Sequence, residues 1–109
     1  MIGVIGCGNM ASAIVMGIHS GYQSLKFLTY NPTKSKAIDL AAKVKGEVVS
    51  SLDELDNVEY LLIGVKPQKF DELAAQLLAS NIDLSKKHII SMMASISIEA
   101  IKKKLNVSN

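Results

Sequence analysis

The chain has 109 residues, 49% of them apolar and 20% charged, the balance of a globular domain with a core and not of a disordered tail. A formal net charge of +2 gives no argument for nucleic acid as a partner, and the single cysteine, Cys7, rules out an internal disulfide. No apolar run approaches the ~18 residues of a membrane span and no secretory leader precedes the first element, so a soluble, cytoplasmic protein is expected.

The first predicted strand covers residues 1–6, and its end carries Gly6-Cys7-Gly8-Asn9-Met10-Ala11, a Gly-x-Gly-x-x-Ala sequence. A strand, a glycine turn and a helix start in that order make the phosphate-cradling opening of a Rossmann fold. Gly6 lets the chain turn and Gly8 lets a pyrophosphate approach the backbone. Ala11 lets the helix pack closely, and the helix N-terminus favours the anion. Cys7 reads as the variable position of the loop, although a helix N-terminus can lower a thiol pKa. The first helix is predicted from Asn9 to Ser20, with Gly21 as a left-handed stop.

A second strand follows at residues 25–30, then a helix built on Ala37, Leu40, Ala41 and Val44, and a short strand at residues 47–49. Ser51-Leu52-Asp53-Glu54 has the spacing of a capping box and predicts a short helix. Residues 60–65 are apolar on both faces, as in a central parallel strand, and Phe70, Leu73, Ala74, Leu77 and Leu78 mark the next helix. A fifth strand is predicted at residues 88–93, and Ser97 caps a last helix burying Ile98, Ile101 and Leu105. Lys102, Lys103 and Lys104 read as the solvated last turn of that helix, and the isolated His19 and His88 as structural. No Cys/His spacing points to a metal site. The alternation predicts one α/β domain over residues 1–109, a doubly wound parallel sheet with ligand across the carboxyl ends of its strands. No closing strand or substrate domain follows Leu105, so the chain reads as a fragment.

The corner after the second strand decides between the two nicotinamide cofactors. NAD sites place an Asp or Glu there to hold the ribose 2′-hydroxyl. Here it reads Thr29-Tyr30-Asn31-Pro32-Thr33-Lys34-Ser35-Lys36, without a carboxylate. Asn31 and Thr33 can hydrogen-bond, and Lys34 or Lys36 can neutralise a 2′-phosphate, which points to NADPH, with NADH possible. Thr33 also suits the cap of the following helix.

Three segments make the chain resemble pyrroline-5-carboxylate reductases along its whole length. Gly6 to Ala11 has their Gly-x-Gly-x-Met-Ala form, Gly64-Val65-Lys66-Pro67-Gln68 is similar to their Ala-Val-Lys-Pro-Gln, and Ser91 to Ser97 is similar to their Ser-x-x-Ala-Gly-Ile-Ser. Ser95 departs from the glycine usual there. The resemblance implies reduction of 1-pyrroline-5-carboxylate to L-proline, the last step of proline biosynthesis, with NADPH contacts at Gly6, Cys7, Gly8, Asn9, Met10 and Ala11. It implies further contacts at Asn31, Thr33 and Lys34, at Ser51 on the adenosine side, and at Val65, Lys66, Pro67 and Ala94 along the path to the nicotinamide. Ser51 is equally an N-cap, Pro67 a helix start and Ala94 a core residue. The resemblance also places the substrate-carboxylate pocket and the homodimer contacts in a following helical domain. No catalytic residue is therefore assigned in this chain, which alone is expected to be inactive. Related NADP-dependent enzymes, such as 3-hydroxyacid dehydrogenases or coenzyme F420 reductases, and a non-catalytic nucleotide-sensing module remain as alternatives.

Overall fold

The computed structural model describes residues 1–93 and 96–106. Five parallel strands, β1 (Ile2–Ile5), β2 (Phe27–Tyr30), β3 (Glu47–Val48), β4 (Tyr60–Ile63) and β5 (His88–Ser91), form one sheet in the order β3-β2-β1-β4-β5. Among the described residues four α-helices flank the sheet: α1 (Asn9–Gly21), α2 (Lys34–Val44), α3 (Phe70–Ala79) and α4 (Ile98–Leu105), the last of them following β5. Strand order reverses at β1, which pairs Ile2 to Ile5 with Phe27 to Tyr30 on one side and with Tyr60 to Ile63 on the other. This is the expected Rossmann-like topology, and the reversal is where such a sheet opens a crevice.

Side chains alternate across the sheet, so each strand feeds two cores. Ile2, Val4, Phe27 and Leu62 pack with Val15 of α1 and with Ala37, Leu40 and Val44 of α2. Ile5, Leu61 and Ile63 pack on the opposite face with Phe70, Leu73 and Leu77 of α3 and with Ile101 and Leu105 of α4. Burial on both faces explains why β4 reads as a continuous apolar run.

Several boundaries differ from those the sequence predicts. Phe27 begins β2, which leaves Leu25 and Lys26 outside it at the amino edge, whereas Ile63 ends β4 and Ser91 ends β5, which leaves Gly64, Val65, Met92 and Met93 beyond the strands at the carboxyl edge. The helix after Ser51 is a single 3-10 turn, Leu52–Leu55, with Glu54 accepting the Ser51 N–H at 2.9 Å. Gly21 is not a left-handed stop, because α1 runs through it and Tyr22 N–H closes the last turn on Ile18. Lys45 and Asn106 take the left-handed role after α2 and α4, at φ 54 and 56. Ser97 caps α4 as expected, accepting from Ala100 N–H at 3.1 Å. Ile98 is the exception on that helix, being 69% exposed. Among the described residues no helix is long and apolar enough to cross a membrane.

Candidate functional site: a cleft over the carboxyl end of β1

Backbone bonds continue one residue past the strands. Gly6 N–H donates to Tyr30 O at 2.9 Å and Gly64 N–H to Ile5 O at 2.8 Å, which sets the two glycines against each other. Gly6 has φ +93, and a Cβ there would lie 2.7 Å from the Gly64 carbonyl carbon and the Val65 nitrogen. The fold itself therefore requires glycine at this position.

Gly8 is different. Its φ of −74 suits any residue, and an added Cβ would meet nothing within 4 Å. It is the N-cap of α1 and offers no side chain to the first turn, where Asn9, Met10 and Ala11 have N–H groups without helical partners. No acidic residue stands in that turn. Open space over a bare backbone at the positive end of a 13-residue helix fits a pyrophosphate. Asn9 and Met10 are exposed there, whereas Ala11 is buried beneath. A Cβ on Gly64 would come within 2.9 Å of Ala11 Cβ, so helix and strand are as close as the motif implies.

Asn31 links this loop to the β2 corner. Its Oδ1 accepts the Cys7 N–H at 2.9 Å and its Nδ2 donates to Thr33 O at 3.0 Å. Cys7 N–H is thus already engaged by the protein. The Cys7 thiol is buried and donates to Tyr30 O at 3.6 Å. Burial pushes its pKa from 9.0 up to about 11, outweighing the Tyr30 bond, which agrees with reading Cys7 as a variable loop position and not a reactive thiol. Thr33 is the N-cap residue of α2, yet its side chain makes no capping bond.

A cleft of about 410 Å³ opens over β1 between the β2 and β4 corners. Of the residues singled out in the sequence, Gly6, Gly8, Asn31, Thr33, Val65 and Lys66 line it. Lys34 does not; its Nζ lies 3.5 Å from Ser50 Oγ, whereas Lys36 does reach the cleft. Ser51 is exposed in its capping box, and Pro67 starts the 3-10 turn Pro67–Lys69; neither lines the cleft. Ala94 lies outside the described residues. The wall formed by Lys69, Glu72, Leu73 and Gln76 was not anticipated. Its signal was available, since positions 69, 72, 73 and 76 share one face of a helix that starts at the β4 corner.

Residues 1–95 match the family described as NADP oxidoreductase, coenzyme F420-dependent. The chain belongs to that family. NADP(H) is accordingly its cofactor. Among curated proteins, the pyrroline-5-carboxylate reductase of Pasteurella multocida is 33% identical over 106 residues, covering 93% of this chain and 38% of the relative. That of Haemophilus influenzae is 32% identical over 102 residues, covering 93% of this chain and 37% of the relative. The crystal structure of 1-pyrroline-5-carboxylate reductase from Streptococcus pyogenes superposes with a TM-score of 0.74 at 27% identity, over 99% of this chain and 38% of that one. The chain thus spans little more than a third of the length of the relatives it matches.

Proposed function

We propose that this chain is the cofactor-binding part of an NADPH-dependent pyrroline-5-carboxylate reductase. The observation that carries the reading is the open backbone at Gly8, beside a corner that holds Asn31, Thr33 and Lys36 and no carboxylate at the end of β2. It is supported by the family match and by about 33% identity to proteins of that name. When bound, NADPH supplies the hydride that reduces the C=N carbon of 1-pyrroline-5-carboxylate, the imine nitrogen keeping or gaining a proton, to give L-proline.

The work of this chain's own residues is binding and positioning. The N–H groups of Asn9, Met10 and Ala11 hold the pyrophosphate, with Gly8 admitting it. Asn31 and Thr33 face the adenosine ribose. Val65 and Lys66 direct the nicotinamide end along the edge of β4. A full-length homo-oligomer in the cytoplasm belongs to this reading, with the acceptor pocket supplied by the portion of the protein that its longer relatives also carry. Hydride transfer requires the two reacting atoms to be held roughly 3–3.5 Å apart. The 109-residue chain is therefore expected to bind NADPH without turning over, while the protein extended to the relatives' length oxidises NADPH when given 1-pyrroline-5-carboxylate. Comparable turnover from the short chain would place the acceptor site within these residues. The family's description favours one second reading, hydride exchange between NADP(H) and coenzyme F420. Oxidation of reduced F420 with reduction of NADP+ by the extended protein, and no response to pyrroline-5-carboxylate, would select it.

A further inference from the structure

Of the two lysines that the sequence offers after β2, one reaches the cleft. Lys34 lies beside Ser50 and outside the lining, whereas Lys36 lines the cleft from the first turn of α2. Across from it Lys69 lines the other wall, at the junction of the 3-10 turn and α3. The two lysines belong to corners that follow β2 and β4, the strands on either side of β1. At ordinary strand spacing these strands run about 10 Å apart, a gap that two extended lysine side chains can close on one anion. Lys66 adds a third cation to the lining, against the single carboxylate of Glu72. Lys69 at the N-cap of α3 and Glu72 and Gln76 within it line this wall together with the buried Leu73.

From this we infer that Lys69 is a specificity-determining residue: it pairs with Lys36 across the cleft to seat the phosphate on the adenosine 2′ position, and so selects NADPH over NADH. The inference rests on the reading of the cleft as the seat of the dinucleotide. A clamp drawn from two walls supplies the second phosphate contact at a corner whose first lysine lies beside Ser50. The paired ammonium groups make charge-assisted bonds to the phosphate oxygens, which NADH lacks.

The test is calorimetric titration of the 109-residue chain with NADPH and with NADH at moderate salt. Lys69→Gln is expected to weaken NADPH about tenfold and to leave NADH within about twofold, as loss of one exposed charge-assisted contact predicts. Lys36→Gln is expected to do the same, and Lys69→Arg to retain the preference. Lys43→Gln, which removes a charge from the far end of α2, is expected to change neither affinity. An equal loss of both cofactors in Lys69→Gln, or no loss of NADPH, overturns the clamp while leaving the cleft as the cofactor site. Failure of the unaltered chain to bind either dinucleotide overturns the clamp and the cofactor site together. Thermal unfolding of each variant separates a binding defect from a folding one.

Discussion

Gly8→Val is expected to abolish NADPH binding while leaving the fold standing. The backbone at Gly8 has φ −74 and an added Cβ meets nothing within 4 Å, so valine enters without a clash. Two small terms then oppose each other. Restricting the unfolded chain stabilises by about 0.4–1 kcal/mol. Valine is a poorer N-cap than glycine and costs a similar amount, about 0.5–1 kcal/mol. The net change stays within about 1 kcal/mol. Binding fares differently, because the valine methyls fill the space through which a phosphate reaches the first N–H groups of α1. Losing two charge-assisted bonds at about 1.5–3 kcal/mol each raises Kd by roughly 10²–10⁴-fold. Gly6→Ala is the companion variant. At φ +93, with backbone atoms 2.7 Å from the new Cβ, it must strain the β1–β4 edge. A loss of about 2–4 kcal/mol is expected there, or a Tm lower by roughly 10–25 °C. Calorimetric titration with NADPH and thermal unfolding read the two effects separately. Normal NADPH affinity in Gly8→Val would refute the reasoning, as would unfolding of that variant to the extent seen in Gly6→Ala.

Asn31→Asp keeps an acceptor for the Cys7 N–H but replaces the donor to Thr33 O with a carboxylate oxygen, so a stability loss of about 1–2 kcal/mol is expected by denaturant titration. The same change repels a 2′-phosphate and should weaken NADPH about tenfold more than NADH. For Cys7 the sign follows from a thiol pKa raised from 9.0 to about 11. Below pH 9 both states hold the proton and stability is unaffected; between pH 9 and 11 only the folded chain holds it. Stability should therefore fall by about 1.4 kcal/mol per pH unit across that window. Denaturation midpoints from pH 8 to 11 should show this slope in the unaltered chain relative to Cys7→Ala. Parallel curves for the two would remove the buried thiol from the account.

The strands and helices were legible because their signals are local: period-two or continuous apolar runs for the sheet, and stripes such as Ala37, Leu40, Ala41 and Val44 for the helices. The glycine loop was legible for the same reason, with Gly6 read as the turn and Gly8 as the point of approach, although the sequence could not tell that Gly6 is also held by packing against another strand's exit. That packing depends on Gly64 and Val65, far along the chain. The Asn31 carboxamide was expected at the ribose, yet its bond to Cys7 spans 24 residues and has no local signature. Helix ends were the weakest reading. Glycine at position 21 fits the left-handed rule, but α1 simply runs out there while Lys45 and Asn106 take that conformation. The lysines after β2 were visible as charge, but which of them enters the cleft is set by helical phase. Lys34 and Lys36 stand two positions apart, about 200° around α2, and so face different neighbours.

If this cleft holds NADPH through the open backbone at Gly8 and a corner without a carboxylate after β2, binding alone reveals it. Titration of the 109-residue chain with NADPH and NADH in the calorimeter tests it most directly. One saturable site per chain is expected for NADPH, with NADH about tenfold weaker or more. Equal affinities, a preference for NADH, or no saturable binding of either would contradict it.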